Sequence, residues 1–439
     1  MKRTPRNGKP QKPAAMRGGV SRDALVYDWN LLDERGPFIK KKVELNDETL
    51  RDGVQGPSVV DPPIEDKLKL LTLMSKLGIT RVDIGLPGAG RRAQADVLEM
   101  AKFIARKKLP LLPNCAARTM KADIAPVADL QQAAGIPVAV YTFIGSSPIR
   151  QYSEDWDVDK ILSTSAEAID FAVKQGLENA YVTEDTIRSH PATLDKLFRN
   201  AINHGTSALV LCDTVGHATP TGVKRLVRWA RGLVMGMGAK VRIEWHGHND
   251  RGLAVINSLS ALQAGADVVH GCALGIGERV GNASMDQLLL NLRLLDAWDH
   301  DLTALKEYVE TASRACAVPV PRSYPLFGED AFRTATGVHA SAIIKAMKLG
   351  DDWLVDRVYS GVPASEFGKE QCIEIGHMSG MSNVKYWLHH RRLPVEDALC
   401  QEILSVAKQS DRVLSEEEVM AVVRRSRPPA LPDSRRSAR

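Results

Sequence analysis

Short runs rich in β-branched and apolar residues alternate with longer amphipathic segments, and this unit repeats eight times between about Lys41 and Ala297. The strand-like runs lie near Val43–Leu45, Arg81–Ile84, Pro110–Pro113, Val138–Phe143, Ala180–Thr183, Leu209–Cys212, Val241–Trp245 and Val268–Ala273. Helical patterns fill the gaps. Ile64–Leu77 carries Leu68, Leu71 and Leu77 on one stripe and stops at Gly78, and Ile161–Lys174 stops at Gly176. Alternation of this kind calls for a parallel sheet, and eight units close it into a (β/α)8 TIM barrel, an α/β fold, rather than leaving it open.

After Asp299 the alternation ends. Leu302–Ala317 reads as a helix and Val318–Pro325 as a Pro-rich turn, followed by a smaller, mainly helical unit with a last helical region over 394–426. The expected organisation is a basic, disordered N-terminal extension over 1–36, a barrel over 37–300, a C-terminal subdomain over 301–426 and a basic tail over 427–439.

With 44% hydrophobic and 25% charged residues in 439, the composition is that of a globular protein with a sizeable core. The formal charge of +5 comes from the ends: residues 1–20 hold six cations and no acid, and residues 424–439 hold six arginines against Asp433. The body between them is mildly acidic, so no nucleic-acid partner is expected and the tails are read as solvated. The six cysteines are widely spaced, with no C-x-x-C pair, which suits reduced thiols. There is no run of 18 apolar residues, and the first 20 residues lack an apolar signal segment. A cytoplasmic protein with no membrane partner is the expectation.

Polar residues cluster at or just past the C-terminal ends of the proposed strands: Asp47, Arg51 and Asp52; Asp83; Asn114 and Arg118; Tyr141 and Thr142; Glu184 and Asp185; Asp213 and Thr214; His246, His248 and Asn249; and the loop 275–282. In a barrel these ends converge on one face, where active sites are built. His246 and His248, at i and i+2 of a strand, point to the same side and can reach one cation. Closure of the barrel would bring Asp52 to them. Two imidazoles and one carboxylate leave coordination positions open, as a catalytic metal site requires, and Asn282 can add a weak oxygen ligand or an outer contact. Zinc, manganese and magnesium all fit this donor set.

The motifs Glu48-Thr-Leu-Arg-Asp-Gly-Val-Gln55, His246-Gly-His-Asn-Asp250 and Gly275-Ile-Gly-Glu-Arg-Val-Gly-Asn-Ala283 together resemble the isopropylmalate, homocitrate and citramalate synthase family, metal-dependent barrel enzymes that also include hydroxymethylglutaryl-CoA lyase. Gly328–Phe332, Thr336–His339 and Gly376–Gly380 look like the second subdomain of the synthases. The resemblance implies an acyltransferase that condenses acetyl-CoA with a 2-oxo acid, with 2-isopropylmalate synthase of leucine biosynthesis as the leading expectation. It implies catalytic roles for Arg51, Glu184 and His339, substrate contacts at Gln55, Asp83, Tyr141 and Thr214, a divalent metal on Asp52, His246, His248 and Asn282, and a homodimer sharing His339.

Simpler readings compete. Arg51 and Asp52 could form a surface ion pair, Glu184 could cap the helix near His190 or pair with Arg188, and His339 could be a core histidine. Asp83, Tyr141 and Val182 depart from the family pattern, where glutamate, histidine and serine are usual. The small apolar segment Leu86–Gly90 favours an aliphatic acceptor over 2-oxoglutarate, whose second carboxylate would need a cation there. A lyase remains the rival in another reaction class, although 275–283 lacks the cysteine that lyases of this type carry. An idle barrel serving as a binding protein is the third reading.

Overall fold

The computed structural model describes residues 22–31, 39 and 42–426, so most of the extension expected over 1–36 and the tail expected over 427–439 lie outside the described residues. Eight strands form a closed parallel barrel in sequence order: β1 (Glu44–Asp47), β2 (Arg81–Asp83), β3 (Leu112–Arg118), β4 (Ala139–Gly145), β5 (Asn179–Glu184), β6 (Ala208–Asp213), β7 (Arg242–Gly247) and β8 (Val268–Gly271). Closure is made by β1 against β8, with Glu44 opposite Val268 and Asp47 opposite Gly271. The chain is thus an α/β TIM barrel with a helical C-terminal region.

Helices follow each strand, and their starts show why the chain turns where it does. Pro191 and Pro220 open helices Pro191–Asn203 and Pro220–Gly236, at a position where a missing N–H costs nothing. The Asp157 side chain accepts the Lys160 N–H at 2.7 Å and so starts helix Val158–Lys174 earlier than apolar periodicity alone suggests.

Strand 3 differs from the sequence reading. It runs through Arg118 rather than ending at Pro113, because parallel pairing with β4 carries it from Asn114 opposite Ala139 to Arg118 opposite Phe143. Asn114 therefore lies inside the barrel, donating to Asn46 Oδ1 at 2.8 Å, and not at a strand end.

Inward-facing side chains of β4, β5 and β6 form an apolar patch of the barrel interior. Ala139, Tyr141, Ala180, Ala208, Val210 and Cys212 pack together with Val182, the small residues leaving room for the tyrosine. Charged side chains at or near the starts of β1, β2, β5 and β7 pair with one another: Arg81 with Glu44 (3.1 Å) and Glu178 (3.5 Å), and Arg242 with Glu178 (2.6 Å) and Glu244 (3.1 Å).

The compact unit containing the barrel runs over Gly36–Val320, beyond the 300/301 boundary read from sequence. The reason is helix Leu305–Ala315, whose Tyr308 is fully buried and donates its hydroxyl to Asp47 on β1, while Arg314 pairs with Asp66 at 2.7 Å. The second unit contains a two-stranded parallel sheet, Arg333–Thr334 with Cys372–Ile373, and helices including Gly337–Lys348, Met381–His390, Asp397–Gln409 and Glu416–Arg425. Trp387, Leu388, Ile403 and Val422 lie in its core, and a Ser415–Glu418 capping box starts the last helix. Among the described residues no helix is long and apolar enough to cross a membrane.

Replacing Tyr308 with Phe removes a donor to a buried carboxylate, and an acceptor left short of partners costs about 1–3 kcal/mol. Urea unfolding of Tyr308→Phe is expected to show a loss of that size; a change within about 0.5 kcal/mol, ordinary for a surface substitution, would mean that Tyr308 does not anchor its helix to β1.

Candidate metal centre and active site

The backbone pairing of β1 with β8 continues one step past the strand, from Glu48 N–H to Gly271 O at 2.9 Å, before the chain turns on Glu48 O, which accepts the N–H groups of Arg51 (3.1 Å) and Gly53 (3.0 Å). That turn holds Glu48, Arg51 and Asp52 at the mouth of the barrel. From β7, His246 and His248 point to the same side, as their i, i+2 spacing dictates. His248 N–H to Asp213 O (3.1 Å) ties this end to β6, and Asn249 N–H to Gly281 O (2.9 Å) with Ala283 N–H to Gly247 O (3.2 Å) lays the loop after β8 alongside and brings in Asn282.

One ligand atom from each of Asp52, His246 and His248 lies within 4.8 Å of the other two. His246 Nε2 and His248 Nε2 are 3.1 Å apart, and Asp52 Oδ2 is 3.9 Å from His248 Nε2. Asn282 Nδ2 donates to Asp52 Oδ2 at 2.6 Å. The residues fit a divalent cation on their own chemistry. Glu48 Oε2 sits 2.7 Å from His246 Nδ1 and fixes that ring's proton there, leaving Nε2 with a free lone pair aimed at His248. The carbonyl oxygen of Asn282 is buried without a partner, a spare oxygen donor beside the three ligands.

Arg51 is gripped from three sides: Nε to Asp83 Oδ2 at 2.7 Å, Nη1 to Asp52 Oδ1 at 2.7 Å and Nη2 to Glu48 Oε1 at 3.4 Å. Burial opposes ionisation of Glu48, but His246 and His270 outweigh it and hold the carboxyl well below its usual range. Burial likewise works against charge on Asp52, and Arg51 reverses the balance. Asp83, with no exposure, is pushed by burial to about 6 in spite of Arg51.

These groups border a cavity of about 230 Å3. Arg51, Asp52, Gln55, Tyr141, Glu184, Thr214, His246 and His248 all line it, with Leu86, Ala116, Phe143, Val182 and Val210 forming an apolar wall. Asp83 does not line it and lies behind Arg51. Arg188 pairs with Asp185 through two 2.7 Å bonds, so it is not the partner of Glu184. Glu184 instead faces Arg150 at 3.6 Å, and burial raises its carboxyl above the ordinary range, with Glu278 and Asp185 adding to the effect. His339 belongs to the second unit, where it is exposed in the first turn of Gly337–Lys348 and stacks on Tyr359 at 4.1 Å.

Sequence reasoning missed Glu244 and His270, and it quoted Glu48 and Glu278 only as motif letters. Stepping back by two along β7 from His246 would have found Glu244 on the same face. The loop after β8 is clamped by Arg279, which grips Asp250 through 2.8 and 3.0 Å bonds and donates to Thr214 O at 2.7 Å.

A family model described as HMGL-like matches residues 42–313. The chain belongs to the HMGL-like family. Relatives in and around this family include homocitrate synthase AksA of Methanothermobacter thermautotrophicus, 29% identical over 375 residues that cover 84% of this chain and 90% of that one. The 2-isopropylmalate synthase of Sulfolobus acidocaldarius is 29% identical over 388 residues, 85% of this chain and 93% of the relative. The HMG-CoA lyase structure from Bacillus subtilis shares the fold, with a TM-score of 0.52 at 22% identity over 64% of this chain and 96% of that one.

For this HMGL-like chain the loop 275–282 depends on its glycines, most sharply at two of the three. Gly281 has φ +93°, and a Cβ there would lie 1.8 Å from Gly275 O; at Gly277 (φ +148°) it would lie 2.2 Å from Asn282 Nδ2. Gly281→Ala is therefore expected to cost about 1–3 kcal/mol in denaturant unfolding. Gly232→Ala, in open space within a helix, should gain about 0.5–1 kcal/mol. Equal effects at the two positions would contradict the loop geometry.

Proposed function

We propose that the chain is a divalent-metal-dependent acyltransferase that condenses acetyl-CoA with a 2-oxo acid, and that its acceptor is the branched aliphatic acid whose product is 2-isopropylmalate. The observation that carries this reading is one cavity in which Asp52, His246 and His248 meet beside Arg51, with an apolar wall opposite. The names of the relatives support the reaction class, and both homocitrate and 2-isopropylmalate synthases are among them. The wall supports the aliphatic acceptor. A citramalate or homocitrate synthase is the alternative within the class, and a hydroxymethylglutaryl-CoA-lyase-like enzyme the alternative outside it.

In this reading Asp52, His246 and His248, with Asn282 beside them, would hold zinc, manganese or magnesium. The cation would supply Lewis-acid polarisation of the acceptor's keto group. Arg51, fixed by three carboxylates, faces the negative charge that develops on the keto oxygen and needs no reorganisation to do so. Glu184 takes a proton from the acetyl methyl, and the enolate carbon bonds to the keto carbon. The new alkoxide is then protonated, a role assigned to His339, and water splits the thioester to release CoA and a carboxylate. Gln55, Tyr141 and Thr214 line the acceptor's space, and Asp83 acts through Arg51. A cytoplasmic homodimer in which the exposed His339 serves a site belongs to the same proposal.

The test follows release of CoA thiol from acetyl-CoA with a divalent metal and a panel of 2-oxo acids. Fastest turnover is expected with 3-methyl-2-oxobutanoate; a silent panel, together with cleavage of a 3-hydroxyacyl-CoA, would hand the assignment to the lyase. His246→Ala should abolish turnover and metal retention together. Glu184→Gln should lower kcat by about 10²–10⁴-fold. Because burial raises the Glu184 carboxyl and the base must be ionised, kcat of the parent should fall on acidification at a pH above the ordinary carboxylate range.

A further inference from the structure

Behind the proposed ligand His246 runs a chain of three hydrogen bonds, closed into a ring by β7 itself, two of whose members, His270 and Glu244, belong to none of the motifs. His246 Nδ1 meets Glu48 Oε2 at 2.7 Å, and the other oxygen of the same carboxylate meets His270 Nδ1 at 2.9 Å. His270 Nε2 meets Glu244 Oε2 at 3.0 Å, and Glu244 stands two residues before His246 on β7. The path thus leaves β7, crosses to β1 and β8, and returns to β7. Its far end is tied down as well. Tyr141 donates its hydroxyl to Glu244 Oε2 at 2.9 Å, and Arg242 Nε reaches Glu244 Oε1 at 3.1 Å. Glu48, Glu244 and His270 are each at most 2% exposed, which leaves water little room to compete for these bonds.

Ionised carboxylate oxygens only accept, so a ring with one on each side donates from both nitrogens and carries a positive charge. Remove that ring and two buried carboxylates share a space with no cation between them, a costly arrangement that moves them apart. Glu48 is the more movable member: on the oxygen facing His270 it keeps only the 3.4 Å contact from Arg51, whereas Glu244 is held by Tyr141 at 2.9 Å and by Arg242 at 3.1 Å.

We propose that His270 is a positioning residue for the metal centre: it holds Glu48 against His246 and thereby aims His246 Nε2 at the cation. This rests on the metal-ligand assignment above but not on the identity of the acceptor. Partners behind a metal-bound histidine typically contribute 10–100-fold to metal affinity, and here the contribution originates two side chains away from the ligand.

The experiment measures the affinity of the purified full chain for Zn2+ or Mn2+ alone by competition with a chromophoric chelator, with circular dichroism as the check on folding. H270Q is expected to bind the metal about 10–100-fold more weakly than the parent. E48Q should show a comparable loss. If His270 acts through Glu48, the double variant E48Q/H270Q is no weaker than E48Q to within about twofold, whereas independent structural effects would multiply. Parental affinity in folded H270Q, or multiplying losses in the double variant, overturns the proposal. Should H270Q not fold, E244Q keeps the side-chain size and loosens the same ring. A loss in E244Q that vanishes in the E48Q background supports the proposal, and parental affinity overturns it. A parent that binds no cation overturns the metal centre and this inference together. A parent that binds a cation but releases no CoA with any 2-oxo acid overturns only the reaction, and the affinities still decide His270.

Discussion

The parallel pairing of β1 with β8 is the constraint on which the site depends. Some two hundred residues separate the Glu48–Asp52 turn from His246, and only closure of the ring brings them together. The register leaves no slack. With Asp47 opposite Gly271 and Glu48 N–H on Gly271 O, the turn falls beside the loop after β8, and Asn282 reaches Asp52. A slip of one residue along β1 would exchange its inward and outward side chains, carrying Glu48 out of the barrel and away from His246 and His270.

Closing a barrel around this many charges is not a route to stability. Buried ion pairs roughly break even against apolar residues of the same volume, because desolvation cancels most of the attraction. The Arg51 cluster with Asp52, Asp83 and Glu48, and the Glu48–His270–Glu244 ring beside it, are kept for geometry rather than for their free energy. Stability comes from elsewhere: the apolar shell between strands and helices, and the packed patch of the interior around Tyr141, Val210 and the three alanines. The two sets of side chains divide the labour, one filling space and the other holding charges in fixed positions.

How much of this was legible in the sequence follows from the reach of each signal. The number of strands and their order were readable because alternation of period two and 3.6 is local and repeats. The convergence of Arg51, Asp52, His246 and His248 was readable because a barrel sends all strand ends to one face. Strand 3 was misjudged because Pro113 looks like a stop, while its extension to Arg118 is imposed by β4, a neighbour that local pattern does not see. Helix Leu305–Ala315 was assigned past the end of the barrel because nothing local tells that Tyr308 reaches Asp47, 261 positions away. The interior ring was missed for the same reason. Glu244 and His270 look like ordinary strand polar residues until the pairing of β7 with β8 sets the acid against the imidazole and closure brings Glu48 to the same imidazole.

Tyr141 shows how a departure from a family pattern can carry information. Its hydroxyl is spent on Glu244, so the ring alone faces the cavity, next to Phe143 and Val182. A histidine there could not fill the same volume while reaching the same carboxylate, and a serine in place of Val182 would put a hydroxyl into the apolar wall. Tyr141 and Val182 pack together on that side of the cavity. Glu244 takes up the one polar atom of Tyr141, and what remains on the cavity side is apolar surface, set against Arg51 and the metal ligands on the other. Under the proposed function, an acceptor lying across such a cavity would be oriented by its own polarity: carboxylate and keto oxygen toward the cationic side, hydrocarbon toward the wall, where desolvation would penalise a charged distal group.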